Sequence, residues 1–353
     1  MLIDPRAAQN APVDHVQEQA MATLDTALVV GAAGGIGGEM ARALRDAGWR
    51  VRALARSSPA ANGGAADIDW RLGDALNPRD VADAARGCAV IVHAVNPPGY
   101  RRWNELVLPM LDSTIAAAAR ERATIVLPGT VYNFGPDAGH LLREDSPQRP
   151  LTRKGAIRVE MERRLHDAAD AGARVLIVRA GDFFGPGARN NWFSQALAKS
   201  GRPVRTVRSP GRTGVGHQWA YLPDVARTMV ELLARRDTLD AFSRFHMAGH
   251  WDADGAQMSA AIRRVVARRT GVEPRIAAFP WWLVTLASPF VTTCREMREM
   301  RYLWREALRM DNAKLVAALG REPHTPLDAA VETTLDALGC LSGRAPRVAP
   351  SSR

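Results

Sequence analysis

The chain has 353 residues, enough for a large α/β domain with a smaller companion, and its 46% hydrophobic and 24% charged residues are ordinary globular values. The net charge of +10 is carried by scattered arginines, with no basic block and no interleaved aromatics, which argues against a nucleic-acid partner and for an anionic cofactor and small-molecule substrate. Cys88, Cys294 and Cys340 are too far apart for a metal knuckle or a redox pair, so no metal is expected and a reducing, cytoplasmic setting is.

Residues 1–23 lack a basic start followed by an apolar run and read as a disordered tail, not a targeting peptide. "ALVVGA" is a short apolar strand ending in Gly31. After it, Ile36, Met40, Ala43, Leu44 and Ala47 recur at helical spacing until Gly48 stops the pattern. "RVRALAR" is the next strand. "AVIVHAV" (Ala89–Val95), "TIVLPG" (Thr124–Gly129) and "RVLIVRA" (Arg174–Ala180) follow, each after an Ala-rich helical stretch. Repeated β-α-β with apolar strands predicts a doubly wound parallel sheet of Rossmann type, helices on both faces, with a smaller mixed C-terminal substrate domain. The expected division is 24–180 plus 218–240 for the dinucleotide domain and 181–217 plus 241–340 for the substrate domain. Ile276 to Cys294 is the most apolar stretch, but Pro280 and Pro289 break it, so it is expected to be buried or pocket-lining and no membrane partner is expected. Met297, Met300 and Trp304 share one helix face and read as core. Residues 341–353, rich in Pro, Ser and Arg, read as a second disordered tail.

The motif with the most chemistry is "VVGAAGGIGGEMARAL", a glycine-rich turn between a strand and a helix. Gly31 permits the tight turn, Gly34 and Gly35 let backbone amides approach a pyrophosphate, and Gly37 lets helix and strand pack closely. Ile36 opens the helix whose positive end faces the phosphates. At the end of the second strand, "VRALARSS" puts Arg56 where an NAD-selective protein offers a carboxylate, with Arg52 four residues earlier. A cation there suits a 2′-phosphate, so NADP is expected ahead of NAD. Asp74 in "RLGDALNP" is placed to accept from an adenine amino group.

The glycine pattern, "GDALNP", "VIVHAV", "VLPGTVYNFG", "VRAGDFFGPG" and "HQWAYLPDVA", in that order, resemble the extended short-chain dehydrogenase/reductase family of NAD(P)-dependent epimerases, dehydratases and reductases. The resemblance spans about residues 24–340. It implies that Ala94, Val95, Pro128, Gly181 and Phe183 also line the cofactor, and that Asp224 opens a late Rossmann helix.

The resemblance also implies a catalytic Ser/Thr, Tyr and Lys, and here the sequence departs from it. Pro128 stands four residues before Tyr132, where the family keeps its Ser/Thr. The family's Tyr precedes a helix Glu by eight residues with the Lys midway; counted from Glu160, these positions hold Thr152 and Ala156. The leading expectation is an oxidoreductase or epimerase/dehydratase-like enzyme with non-standard catalytic residues, drawn from Thr130, Tyr132, Thr152 and Lys154. The alternative is a catalytically silent NADP-binding redox sensor or regulator. His217 replaces the arginine that clamps a diphosphate in nucleotide-sugar relatives, and it joins Trp219, Tyr100 and Trp103 as candidate contacts to a small, fairly apolar substrate. A homodimer is compatible with the sequence and not required by it.

Overall fold

A computed structural model describes residues 25–57, 67–97, 102–188 and 191–341. The first half runs β1 (Thr26–Val30), α1 (Gly35–Asp46), β2 (Arg50–Ala55), β3 (Asp69–Leu72), α2 (Pro78–Ala85), β4 (Val90–His93), α3 (Trp103–Glu121), β5 (Thr124–Thr130), β6 (Leu141–Leu142), α4 (Arg153–Asp170) and β7 (Arg174–Ala180). Next come β8 (Asp182–Phe184), β9 (Thr206–Ser209), β10 (His217–Tyr221), α5 (Leu222–Leu233), β11 (Phe242–His246), β12 (His250–Asp252) and α6 (Gln257–Thr270). The chain closes with β13 (Arg275–Ala278), α7 (Trp281–Ala287), α8 (Thr292–Glu299), β14 (Arg309–Met310), α9 (Ala313–Leu319) and α10 (Leu327–Ala337).

Seven strands form one parallel sheet in the order β3-β2-β1-β4-β5-β7-β11. The two-residue alternation of each strand decides which layer it meets. Ala27 and Val29 face Met40 and Leu44 of α1 and Val225 and Met229 of α5; Leu28 and Val30 face Val81 of α2, Leu111 of α3 and Leu165 of α4. Strand order reverses between β1 and β4, so a crevice opens beyond their C-terminal ends, where sheets of this kind bind ligands. The smaller domain packs the β12-β10-β8 and β13-β9 sheets and α6 and α10 around Phe184, Trp192, Phe193, Trp219, Ile262 and Val331. Met300 and Trp304 lie in that core with Met297 packed against it, as their spacing predicts.

Several boundaries differ from expectation. The large sheet takes its seventh strand, β11, from beyond residue 240, because Phe245 and Met247 complete the same core, which Leu315 and Leu319 of α9 also enter. Strand β10, expected in the dinucleotide domain, pairs instead with β8 and β12. The tails expected at 1–23 and from 342 onward lie outside the described residues, while Leu341 is packed at 7% exposure. The stretch from Ile276 to Cys294 lines a cleft with Ala278, Phe279 and Trp281, as expected, but much of it is not buried: Trp282, Leu286 and Phe290 are 68%, 69% and 89% exposed. Apolar composition predicted burial there, but the short helix α7 seats only Val284 and the edge of Trp281 on the domain. Among the described residues no helix is long and apolar enough to cross a membrane.

Candidate active site

The crevice begins at Gly31, whose φ of +96° is a conformation that favours glycine. A Cβ there would sit 2.7 Å from the carbonyl carbon and oxygen of Ala94, so β1 and β4 end in direct backbone contact. A Cβ on Gly37 would meet the Gly31 carbonyl oxygen at 2.1 Å, which is how closely α1 rests on the turn. Gly34 N donates to Gly31 O at 2.9 Å, and no side chain caps α1. The first amides of the helix, at Gly35 and Ile36, are therefore left to an anion at its positive end. Ile36, Ala94 and Phe183 are half-buried against the core beneath α1 and α5, and Val95 against the core on the opposite face of the sheet. A cradle with no room for a single Cβ at two positions, opening onto an uncapped helix, fits a dinucleotide pyrophosphate.

Around the expected adenosine end, Arg56 is exposed immediately after β2. Arg52 is committed elsewhere: its guanidinium donates to Ala84 O at 2.6 Å and Arg86 O at 2.9 Å and pairs with Asp69 at 3.2 Å. Asp74 closes its own turn, accepting from Leu76 N at 3.0 Å through one carboxylate oxygen.

The register of α4 differs from the one counted from Glu160. Glu160 is a surface residue held by Arg163 and Arg164, which keep its carboxyl low, at about 2. Glu162 is the buried helix glutamate. It accepts from Arg179 Nε at 2.8 Å and Nη2 at 2.5 Å and from Asn133 Nδ2 at 2.9 Å, and Arg179 is itself fully buried. Counted from Glu162, the positions eight and four residues back hold Lys154 and Arg158. Both are buried and both are cationic. Arg158 Nη2 reaches Asn96 Oδ1 at 3.4 Å, just past β4, and Nη1 reaches Pro128 O at 3.5 Å; the guanidinium lies 5.4 Å over Trp103. Lys154 Nζ pairs with Glu296 Oε2 of α8 at 2.8 Å. Burial pulls its ammonium below the ordinary lysine value, opposed by Glu296, Glu299 and Asp182.

Facing Lys154 is a chain of proton-bearing groups. Tyr132 OH donates to Asp182 Oδ1 at 3.0 Å, and Asp182 Oδ2 meets His217 Nε2 at 3.0 Å. His217 Nδ1 lies 3.1 Å from Leu303 O, an acceptor only, so Nδ1 carries a hydrogen. The other ring nitrogen is thereby turned onto the Asp182 carboxyl. His217 stacks on Trp304 with centroids 3.7 Å apart and planes at 7°, and Trp219 closes its edge. Asp182, Arg158 and Glu296 were missed from sequence; Asp182 alone had a local signal, lying inside "RAGDFFGPG".

Other expected contacts have different tasks. Thr152 is the N-cap of α4, accepting from Gly155 N at 3.0 Å, and Thr130 Oγ1 accepts from Tyr132 N at 3.3 Å. Both hydroxyl oxygens hold backbone, and each hydroxyl keeps its own hydrogen to donate. Gly155 has no side chain because a Cβ would lie 2.2 Å from Tyr132 O, and this contact presses α4 onto Tyr132. Gly181 serves packing too: its Cβ would lie 2.2 Å from Gln218 O. Trp103 is 7% exposed in the core beneath Arg158, and Trp219, at 2%, is core in the smaller domain. Tyr100 lies outside the described residues.

Beyond Trp304 a cleft of about 370 Å³ is lined by Phe279, Trp281, Arg212, Arg301 and Arg305. The fold and the phosphate turn together define a dinucleotide-binding α/β protein. The NAD dependent epimerase/dehydratase family matches residues 27–248, and the chain belongs to that family. A putative epimerase from Burkholderia cenocepacia J2315 is similar in structure, with a TM-score of 0.70 and 18% identity over 90% of this chain and 98% of that one. A UDP-galactose 4-epimerase gives 0.66 and 18% over 89% and 98%. The UDP-glucuronic acid 4-epimerase from Bacillus cereus, in complex with UDP-glucuronic acid and NAD, gives 0.66 and 16% over 90% and 100%. No curated protein sequence matches the chain.

Proposed function

We propose that this protein is an NADP-preferring enzyme of the epimerase/dehydratase type that acts on a small, largely apolar substrate, with Lys154 exchanging the proton at the reacting atom. The nicotinamide, when bound, supplies or accepts hydride. The observation that carries the reading is the register of α4: the buried Glu162–Arg179 pair puts Lys154 and Arg158 at the spacing where relatives keep Tyr and Lys.

In this reading Arg158 holds the cofactor ribose, because its guanidinium already lies against Asn96 and Pro128 O at the ends of β4 and β5. A lysine pulled down by burial is a better proton donor near neutrality than a surface lysine. Tyr132, held by Asp182 with His217 behind it, is the protic side chain that supports Lys154 in this reading. Arg56 selects the 2′-phosphate, and Asp74 offers its second carboxylate oxygen to the adenine. The aromatic wall of Phe279, Trp281 and Trp304 suits an apolar substrate body, and Arg212, Arg301 and Arg305 beside it suit an anionic group carried on that body.

Lys154→Met tests the assignment. Turnover of NADPH with a panel of carbonyl, enone and imine compounds is expected to fall roughly a hundredfold or more. NADP affinity, measured by calorimetry, is expected to stay within about threefold, since no contact to the phosphate turn is lost. Full turnover by Lys154→Met would remove Lys154 from the chemistry. Tight NADP binding without turnover in the unmodified protein would favour a sensor.

A further inference from the structure

We propose that the outer face of α7, with the turn that follows it, docks on an anionic lipid surface. Six of the eleven large apolar side chains left exposed among the described residues fall between Ile276 and Val291: Ile276, Trp282, Leu283, Leu286, Phe290 and Val291. Of the other five, Leu151 borders the same side and Leu72, Leu141, Val272 and Val316 lie elsewhere in the sequence. So dense a patch is unusual on a protein surface that meets only water.

The charge around the patch identifies what covers it. From Pro274 to Arg295 the sequence holds no acidic residue, and Arg275, Arg295 and Arg298 stand exposed around the apolar face. Arg298 donates to Ser288 Oγ at 2.9 Å, which fixes it against the α7–α8 turn. Glu296 and Glu299 turn inward, to Lys154 and to the Arg153 amide at 2.6 Å, Glu273 is paired with Arg263, and Glu306 lines the groove that also holds Arg298. An apolar face with Trp at its border and a mainly cationic rim is the pattern that settles among headgroups and is attracted by anionic lipid. A second copy fits less well. A two-fold contact sets the same patch against itself, and three arginines per protomer would face their own copies with no carboxylate in the segment to offset them.

The location matters as well as the composition. Glu296 and Glu299 tie α8 to the first turn of α4, so the docked face lies on the hairpin that covers Lys154. Leu151, 63% exposed, borders the same side with Thr285 across a groove. An apolar substrate dissolved in a bilayer would meet the protein beside its site.

The test uses the full chain and two kinds of vesicle, phosphatidylcholine alone and its equimolar mixture with phosphatidylglycerol, scored by sedimentation. The unmodified protein is expected to bind the mixed vesicles at least about tenfold more tightly than the neutral ones, and to release from them at high salt. Trp282→Ser combined with Phe290→Ser, and separately Arg295→Glu combined with Arg298→Glu, are each expected to weaken that binding by about tenfold or more. All four positions are exposed, and thermal unfolding confirms that each variant is folded; either variant alone decides the matter. Equal binding by the unmodified protein and a folded variant overturns the proposal, as does no binding to mixed vesicles. A dimer in analytical ultracentrifugation that Phe290→Ser splits, without vesicle binding, assigns the face to a second copy and also overturns it. Binding is read without substrate, so this result is independent of the one for Lys154.

Discussion

At the C-terminal end of β1 the chain is constrained by its own main chain: Gly31 and Gly37 have no space for one extra carbon, and the ligand-facing groups are amides. At the first turn of α4 the backbone is equally fixed, capped by Thr152 and pressed on Tyr132, yet the working groups are side chains. The first arrangement tolerates almost no change of residue. In the function proposed above, the second keeps the scaffold while the acid and base on it are exchanged. Cofactor capture and proton handling are therefore separable here, and variants can pull them apart.

The largest expected effect is the loss of turnover in Lys154→Met with NADP affinity retained, which would separate the two ends directly. Glu162→Gln tests the register beneath it. It leaves Arg179 buried without a counter-charge and is expected to cost about 3–5 kcal/mol in denaturant unfolding. Glu160→Gln, on the surface two residues earlier, is expected to cost less than about 1 kcal/mol. Equal costs would undo the register argued for α4. On the cofactor side, Gly37→Ala forces a Cβ onto the Gly31 carbonyl and is expected to weaken NADP binding by roughly tenfold to a hundredfold in calorimetry, with a lower melting temperature.

Acid links the two sides. His93, beside β1, and His246, beside Arg179, are each held near a pKa of about 3, and His250 near about 4, chiefly by burial. Arg179 Nη1 donates to His246 Nε2 at 3.0 Å, which fixes the neutral ring with its hydrogen on Nδ1 toward Leu142 O. The unfolded chain binds protons on these rings near pH 6.5, so their contribution is complete above that pH and is lost as pH falls toward 4 and 3. Each adds a slope of about 1.4 kcal/mol per pH unit in that window. His93→Gln is expected to flatten the acid limb of a melting-temperature profile by about one proton. The smallest effect is at Arg56. Its replacement by Ala is expected to lower the NADP/NAD affinity ratio by roughly tenfold, and an unchanged ratio would give the 2′-phosphate no partner there.

How much of this was legible in the sequence depended on how local each cause was. The phosphate turn was readable because its strand, glycines and helix are contiguous, and the tightness that demands Gly31 and Gly37 arises within a few residues. The alternation of short apolar strands gave the parallel sheet, though not β11, because nothing local distinguishes a last sheet strand from a first substrate-domain strand. The α4 register was hidden because Glu160 and Glu162 differ only in partners: helix neighbours for one, Arg179 across the packed layer for the other. A buried arginine within "RVLIVRA" needs an acid, and that is the signal that could have chosen Glu162. The Asp182–His217 contact joins residues 35 apart on adjacent strands β8 and β10, so no spacing rule would find it. The apolar stretch around α7 lines a cleft as expected, but its exposed outer face was not legible, for a different reason. Hydropathy reports what a side chain avoids, and says nothing about whether another part of the same chain covers it.

The Arg179 fork has one more consequence, for how the molecule comes apart. Two arms grip Glu162 on α4 and a third holds His246 on β11, while Arg179 itself belongs to β7. Three elements thus share one guanidinium with no water to replace any of them. Partial opening that frees α4 alone would strand a charge in the interior, so the helix carrying Lys154 and the outermost strand of the sheet are bound into a single cooperative unit.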